Sequence, residues 1–416
     1  MRRTHMLILL ALAGLVVVAY LPLINQPLLD DDYPYIEMAR NHGPSHVLAD
    51  PLLRPRATFW TLTYLLGRFS GASPLPYYVS TVVLHILCTW LVYALGAWRI
   101  VGWRVAAVAA AFFAVHEGHQ EAVMWYSATP QTLQFLFGVA ALVFWVRFIE
   151  NRGGRLLYTA ALGSFLLTFV SMETAPIFAG LMLLPLWFSD SKRRTALMWP
   201  WLPFAALAAV DAWLIMVSSS SRGPDDRFSF LGPVWIALPY SYARLLWIWG
   251  LLSLIAMGLL KFRRSRPLIL AAVVWIPIAL LPYSFLTYMR FVPSRHTYLA
   301  GLGLSWIVGA AFWALYARLN RYQRPIGAVV LAGVLAVNIG TLWTRKRRQF
   351  LERAAPTEAL VELVRRTPGL IYMRCNGTPV ERTIFEAAVR VRTGKMPLVW
   401  DSAQAGAAAA EFCWKR

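Results

Sequence analysis

Three carboxylates stand in a row at Asp30, Asp31 and Asp32, directly after the first apolar run of the chain. Crowded carboxylates raise one another's pKa, and burial raises it further. One member of the Asp31–Asp32 pair can then act as a base near neutral pH. The bland alternative is a set of solvated aspartates that caps the next helix. A second ionisable group, His116, Glu117, His119 and Glu121, follows the third apolar run, and Glu173 follows the fifth. Ionisable groups at membrane depth are costly and tend to be functional; wet loop residues are the other reading. The two histidines with flanking glutamates also suit a divalent metal, although HxxH alone is a weak signature. Glu37 and Asp225-Asp226 read as turn residues by default, Glu37 unless it bridges Arg40 or Arg54.

These residues must be positioned by a membrane scaffold. Of 416 residues, 58% are hydrophobic and 19 are Trp, far above a soluble domain. Apolar runs recur at 6–26, 76–98, 101–116, 130–149, 156–171, 174–189, 196–217, 244–260, 267–286, 298–317 and 325–343. The first reads as an uncleaved helix, since no small-residue cleavage site follows it. The net charge of +20 does not signal nucleic acid, because Lys and Arg cluster between the apolar runs. With the N-terminus inside, the inner connections hold seventeen Lys and Arg against nine outside, which favours this orientation. Ten of the thirteen acids before residue 344 then lie on the outer side, so that surface carries the chemistry.

The expected architecture is an all-α polytopic membrane protein of about eleven transmembrane helices. Residues 1–343 form the multi-span domain, and residues 344–416 a small α/β outer domain. An odd span count puts Arg345-Lys346-Arg347-Arg348 outside, against the positive-inside trend, although late charges count less. Cys375 and Cys413 can pair if the tail meets an oxidising compartment; in the cytosol they stay free. Cys88 is inert packing. The first outer loop, 27–75, is too long for a plain connection. Within it Phe59, Leu62, Leu66 and Phe69 recur at helical spacing. They predict an amphipathic helix, lying in the interface or packed as an ordinary helix.

The stretch Asp31-Asp-Tyr-Pro-Tyr-Ile-Glu-Met-Ala-Arg40 resembles the signature of the GT-C superfamily of membrane glycosyltransferases. Protein O-mannosyltransferases and the bacterial aminoarabinose transferase of lipid A belong there. Further matches follow in order: Arg54-Pro55 and His85, "HEGHQEAVMW" from His116, "SMET" from Ser171, and "SRHTY" from Ser294. They cover about residues 20–310. Two positions depart from the pattern: Glu117 stands where the family has Pro, and Met172 where it has Lys.

The resemblance implies a GT-C-type fold and inverting transfer of a sugar from a polyprenyl-phosphate donor to a lipid, glycan or protein hydroxyl. The site would face the periplasm from a bacterial inner membrane. Asp31 would be the base, with Asp32 as its close partner. Glu121, His119 and Glu117 would position the acceptor or a possible divalent metal. No other cofactor is implied. Arg54, Arg295 and His296 would hold the leaving phosphate, with lipid snorkelling and a packed histidine as their alternatives. His85 reads as a core residue. Two further readings stay open: a transporter or flippase for a lipid-linked sugar, and a non-catalytic envelope-assembly protein.

Overall fold

Every expected apolar run forms helix, but the helices differ in length. The computed structural model describes residues 2–43, 45–46, 56–151, 154–189, 191–219, 234–259, 265–286, 290–375 and 378–414. The calls on Arg54 and on Asp225-Asp226 lie outside the described residues. The helices that matter below are α1 (Arg2–Tyr20), α2 (Asp32–Asn41), α3 (Ala57–Ser70), α4 (Pro74–Ala94), α5 (Trp103–Val115), α6 (Thr129–Asn151), α7 (Arg155–Phe169), α8 (Arg266–Leu280), α9 (Ala300–Tyr316), α10 (Arg324–Thr341), α11 (Arg347–Arg366) and α12 (Pro379–Thr393). Among the described residues six helices are long and apolar enough to cross a membrane. The number is seven if Val234–Leu246 and Trp249–Leu259, bent by 71° against each other, form one span. The four other apolar helices are only 10–17 residues long. Length and composition therefore fall short of the eleven expected spans.

The short helices have a packing explanation. Helix α9 is apolar all round and buried along nearly its whole length, the signature of a helix inside a bundle rather than one bathed in lipid. It contacts α5 and α8 closely. A Cβ at Gly309 would sit 2.8 Å from the Val105 carbonyl oxygen, and one at Gly303 would sit 2.7 Å from Ile276 Cγ1. Small residues at such crossings let backbones approach.

The expected boundary after residue 343 falls inside a continuous helical run. Helix α10 passes through a π turn, Leu342–Lys346, into α11. Beyond it lies a three-stranded parallel sheet of order β2-β1-β3, with β1 at Ile371–Met373, β2 at Leu398–Val399 and β3 at Ala410–Phe412. Ile371 pairs with Leu398 on one side and with Ala410 on the other. Helix α12 joins β1 to β2; Thr378 and Glu381 form a capping box at its start. A disulfide joins Cys375 to Cys413.

This α/β unit packs onto the first long loop. Leu28, Tyr33, Ile36, Phe59 and Trp60 share one core with Leu360, Ile371, Ala387 and Val389. Arg390 Nε donates to Glu37 Oε1 at 2.5 Å, so Glu37 bridges a tail arginine rather than Arg40. The tail and the aspartate triplet therefore share one end of the bundle. Helix α3 forms as expected, but its buried face is Phe59, Trp60, Thr63 and Gly67, while Phe69 is 83% exposed.

The disulfide closes a sequence separation of 38 residues, which constrains the unfolded tail by about 3–4 kcal/mol. Alkylation in denaturant should mark Cys88 alone before reduction and all three cysteines after it. Three marked cysteines without reductant would rule the bond out.

Candidate active site

The three aspartates point to three different places. Asp30 adopts φ +34°, a left-handed conformation that Asp tolerates better than most side chains. It reaches the tail: Arg353 of α11 donates to Asp30 Oδ2 through Nη2 at 2.6 Å and Nε at 3.2 Å. Asp32 turns inward and is fully buried. Its Oδ2 accepts the Leu29 N–H at 2.8 Å; its Oδ1 accepts the Ser127 N–H at 2.7 Å and the Ser127 hydroxyl at 2.5 Å. Asp31, at the start of α2, is half-buried and lies within electrostatic reach of Tyr35.

Burial pushes the Asp32 carboxyl up to about 7, against the pull of its three hydrogen bonds. The neighbouring acid that adds to this rise is Asp30. Asp32 is a buried latch, raised chiefly by loss of water.

Glu121 lies on the helical turn Gln120–Met124 and faces two arginines. Its Oε2 accepts the Arg295 backbone N–H at 3.0 Å and lies 3.9 Å from Arg295 Nη1. Its Oε1 lies 4.0 Å from Arg353 Nη1. Both guanidinium groups rest over the Trp125 ring, at 5.1 Å and 4.5 Å from its centroid, where the ring quadrupole attracts them.

A third cluster completes the rim. Arg56 donates to both Glu173 oxygens, at 3.1 Å and 2.5 Å, and also hydrogen-bonds Tyr35. Next to it runs a buried polar relay. Gln134 Nε2 donates to Thr174 Oγ1 at 2.8 Å, and Thr174 Oγ1 lies 2.9 Å from Tyr283 Oη. The Tyr283 hydroxyl donates to Gln131 Oε1 at 3.0 Å, and Gln131 Nε2 donates to His296 Nδ1 at 2.8 Å. This network assigns the proton of neutral His296 to Nε2. Burial first, then Arg295 and Arg56, hold His296 well below its ordinary pKa. Electrostatic neighbours thus run from Asp31 through Tyr35 and Arg56 to His296 and Arg295.

His119 and Glu117 sit differently from the expectation. His119 Nδ1 donates to the Phe113 carbonyl at 3.0 Å, and its ring packs on Phe113 and Tyr298. Helix α9 presents Gly301 to it, where any Cβ would overlap His119 Nε2. Burial holds His119 well below its ordinary pKa. His116 stacks on Phe112. The Glu117 N–H donates to Asn338 Oδ1 at 3.2 Å, and Lys346 lies in electrostatic reach of Glu117. Both histidines therefore face the core, and the four side chains do not converge on one point. Among the described residues no three His, Cys, Asp or Glu side chains are grouped to hold a metal. His85 is a core residue as read: Tyr298 donates to its Nδ1 at 2.6 Å, and its Nε2 donates to the Ala114 carbonyl at 3.1 Å.

No protein-family model and no curated protein sequence matches the chain. Solved structures do. ArnT from Cupriavidus metallidurans, solved with undecaprenyl phosphate, superposes with a TM-score of 0.57 at 13% identity, covering 98% of this chain and 89% of that one. The oligosaccharyltransferase AglB from Archaeoglobus fulgidus, in complex with an inhibitory peptide and a dolichol-phosphate, gives 0.58 at 13% identity, covering 97% of this chain and 65% of that one. An apo form of the Archaeoglobus fulgidus oligosaccharyltransferase gives 0.55 at 12% identity. The chain shares the fold of these structures, in keeping with the GT-C-type fold that the motif resemblance implies.

On that fold the rim contains residues that the sequence does not single out. Arg56 lies two positions after Arg54 in the same Arg-Pro-Arg stretch, and that doubling is a usable signal. Tyr283 and Gln131 carry only the weaker signal of polar side chains in apolar runs. Ser127 and Arg353 carry none: the first is one serine in a short loop, the second one cation in a strongly basic tail.

The Asp32 latch has a pH signature. An unfolded aspartate titrates near about 3.9, and the folded group titrates at about 7. Between these values the native state holds a proton that the unfolded chain has released. Its stabilising contribution is therefore complete below pH ~4 and lost as pH rises through ~7. Thermal unfolding midpoints in detergent should fall over that window, and Asp32→Asn should flatten the fall. An unchanged slope in the variant would remove Asp32 from the account.

Proposed function

We propose that the protein transfers a sugar, with inversion, from a polyprenyl-phosphate donor to an acceptor hydroxyl on the non-cytosolic side of a membrane. The observation that carries this reading is the electrostatic chain from Asp31 through Tyr35 and Arg56 to His296 and Arg295. It joins the acid proposed as base to the groups proposed to bind the phosphate, at one end of the bundle. ArnT was solved bound to undecaprenyl phosphate and AglB in complex with a dolichol-phosphate, and a lipid phosphate is the donor class proposed for this chain.

The step balances as a single displacement. The acceptor oxygen forms a bond to the anomeric carbon as the bond from that carbon to the phosphate oxygen breaks. The electron pair leaves on the lipid phosphate, and Asp31 takes the acceptor proton. Arg295 neutralises the growing phosphate charge, and the Nε2–H of His296 donates to the same group. Glu121 fixes Arg295 through its backbone N–H and its guanidinium, which is a positioning role. Asp32 holds the turn from which Asp31 projects.

Orientation follows from partners. The tail shares its end of the bundle with Asp31, and a disulfide within the tail favours an oxidising compartment.

Purified protein incubated with a panel of polyprenyl-phosphate sugars should release polyprenyl phosphate in the presence of the matching acceptor. Asp31→Asn should lower kcat by about 10²–10⁴-fold while thermal stability stays within the wild-type range. Full turnover in that variant would overturn the assignment of the base. A transporter would move the lipid-linked sugar in both proteins and release no polyprenyl phosphate.

A further inference from the structure

A cavity of about 430 Å³ opens between the tail and the Gln120–Glu121 turn. That volume lies within the ~300–1,000 Å³ of small-molecule sites. Its lining includes Gln120, Glu121, Gln349, Glu352, Arg353 and Trp414. A smaller cavity of about 140 Å³ shares Arg353 and Trp414 with it and reaches Asp30. Trp414 thus stands between the two spaces. Its backbone is held in place by the Cys375–Cys413 disulfide and by β3 pairing with β1.

We propose that this cavity is a saccharide site, and that the sugar it binds is the acceptor of the transfer. The second half of the proposal rests on the function proposed above; the first half does not. The lining decides the chemistry. The carboxylates at its wall are already matched by cations: Glu121 faces Arg295 and Arg353, Glu352 pairs with Arg348, and Asp30 pairs with Arg353. The lining's cation, Arg353, is thus engaged by carboxylates, and the donor phosphate stays assigned to Arg295 and His296, which do not line this cavity. Neutral hydroxyls suit it: carboxylates accept from them, and the amides of Gln120 and Gln349 both donate and accept. Gln120 is only 8% exposed, and its Oε1 has no partner among the described residues. Rotation about its terminal torsion, a soft one, offers that oxygen to a ligand hydroxyl. Trp414 is 43% exposed, and its indole presents a flat apolar surface to the C–H face of a pyranose ring. Hydroxyl-binding groups around an aromatic platform match a sugar ring, and the apolar Phe350 and Pro356 of the same lining suit its C–H faces.

Saturation-transfer NMR on the full-length protein in detergent tests this directly. The probes are methyl α-D-mannopyranoside, methyl α-D-glucopyranoside, methyl α-D-galactopyranoside and a neutral Ser/Thr-containing tripeptide. At least one glycoside should take up saturation on its ring protons. Trp414→Ala should weaken that signal about five-fold, while Trp414→Phe, which keeps an aromatic face, retains most of it. Gln349→Ala, on an exposed part of α11, should weaken it without touching the tail fold. If Trp414→Ala proves unfolded, the Phe and Gln349 variants decide. No glycoside signal, signals unchanged in Gln349→Ala, or saturation of the tripeptide in place of the glycosides would each overturn the proposal. Glycoside binding without turnover of any lipid-linked donor would overturn the transferase reading and leave the saccharide site standing. Turnover without glycoside binding would do the reverse.

Discussion

A buried carboxylate with no access to water must find donors within the chain, and Asp32 finds three. The Leu29 N–H lies on its own segment, whereas the Ser127 N–H and hydroxyl lie just before α6. This one side chain therefore pins the start of the first long loop to the head of a central span. An unpaired buried donor costs about 1–3 kcal/mol, so the turn cannot drift without leaving two backbone amides unsatisfied. With Asp32 fixed inward and Asp30 held at positive φ, the two neighbours have little choice of direction. Asp30 meets the tail at Arg353, and Asp31 is left beside Tyr35 and Arg56. Three like charges in a row are tolerable because they serve three surroundings.

The same end of the bundle is cross-linked by charge between distant parts of the chain. Glu37 holds Arg390, Glu358 holds Arg392, Asp30 holds Arg353, and Glu173 holds Arg56. Pairs this far apart in sequence do not arise from helix periodicity; Glu37–Arg390 and Asp30–Arg353 hold the tail against the loop, Glu358–Arg392 ties the tail to itself, and Arg56–Glu173 ties the loop to the segment after α7. Trp125 adds a platform beneath Arg295 and Arg353, which keeps both guanidinium groups near Glu121 before any ligand arrives. On the proposed reaction this matters, because a cation already ordered loses less freedom when a phosphate charge grows beside it. Glu121 is then the counter-ion that keeps the empty site tolerable.

Apolar periodicity located the helices but not their lengths in the membrane. A span bathed in lipid must match the bilayer, whereas α9, enclosed by other helices, need not. The burial of α3 was misread for a related reason. Phe59, Leu62, Leu66 and Phe69 look like one face, yet the buried face is Phe59, Trp60, Thr63 and Gly67, which meet Tyr35, Tyr126, Arg40 and Tyr77, and nothing within 57–70 announces those neighbours. His119 was misplaced because closeness in sequence to Glu121 says nothing of direction: the break after α5 turns the histidines inward and Glu121 toward Arg295. Asp31, Asp32, Glu121, Arg295 and His296 stand out in the sequence because a run of motifs in order contains them. Arg353 does not, since its partner Asp30 lies 323 residues away.

The basic cluster Arg345–Arg348 opposed the topology from the start, and its surroundings account for it. The π turn at Leu342–Lys346 carries the chain from α10 straight into α11, so these cations sit where a span becomes the tail. Lys346 lies in reach of Glu117 and Glu121, and the acid-rich end of the bundle supplies the counter-charge that lipid headgroups would otherwise provide. A positive-inside count treats such cations as free loop charges. Here Lys346 faces Glu117 and Glu121, and Arg348 pairs with Glu352, which weakens the vote of those two on orientation. The disulfide and the tail's contact with the aspartate turn keep theirs.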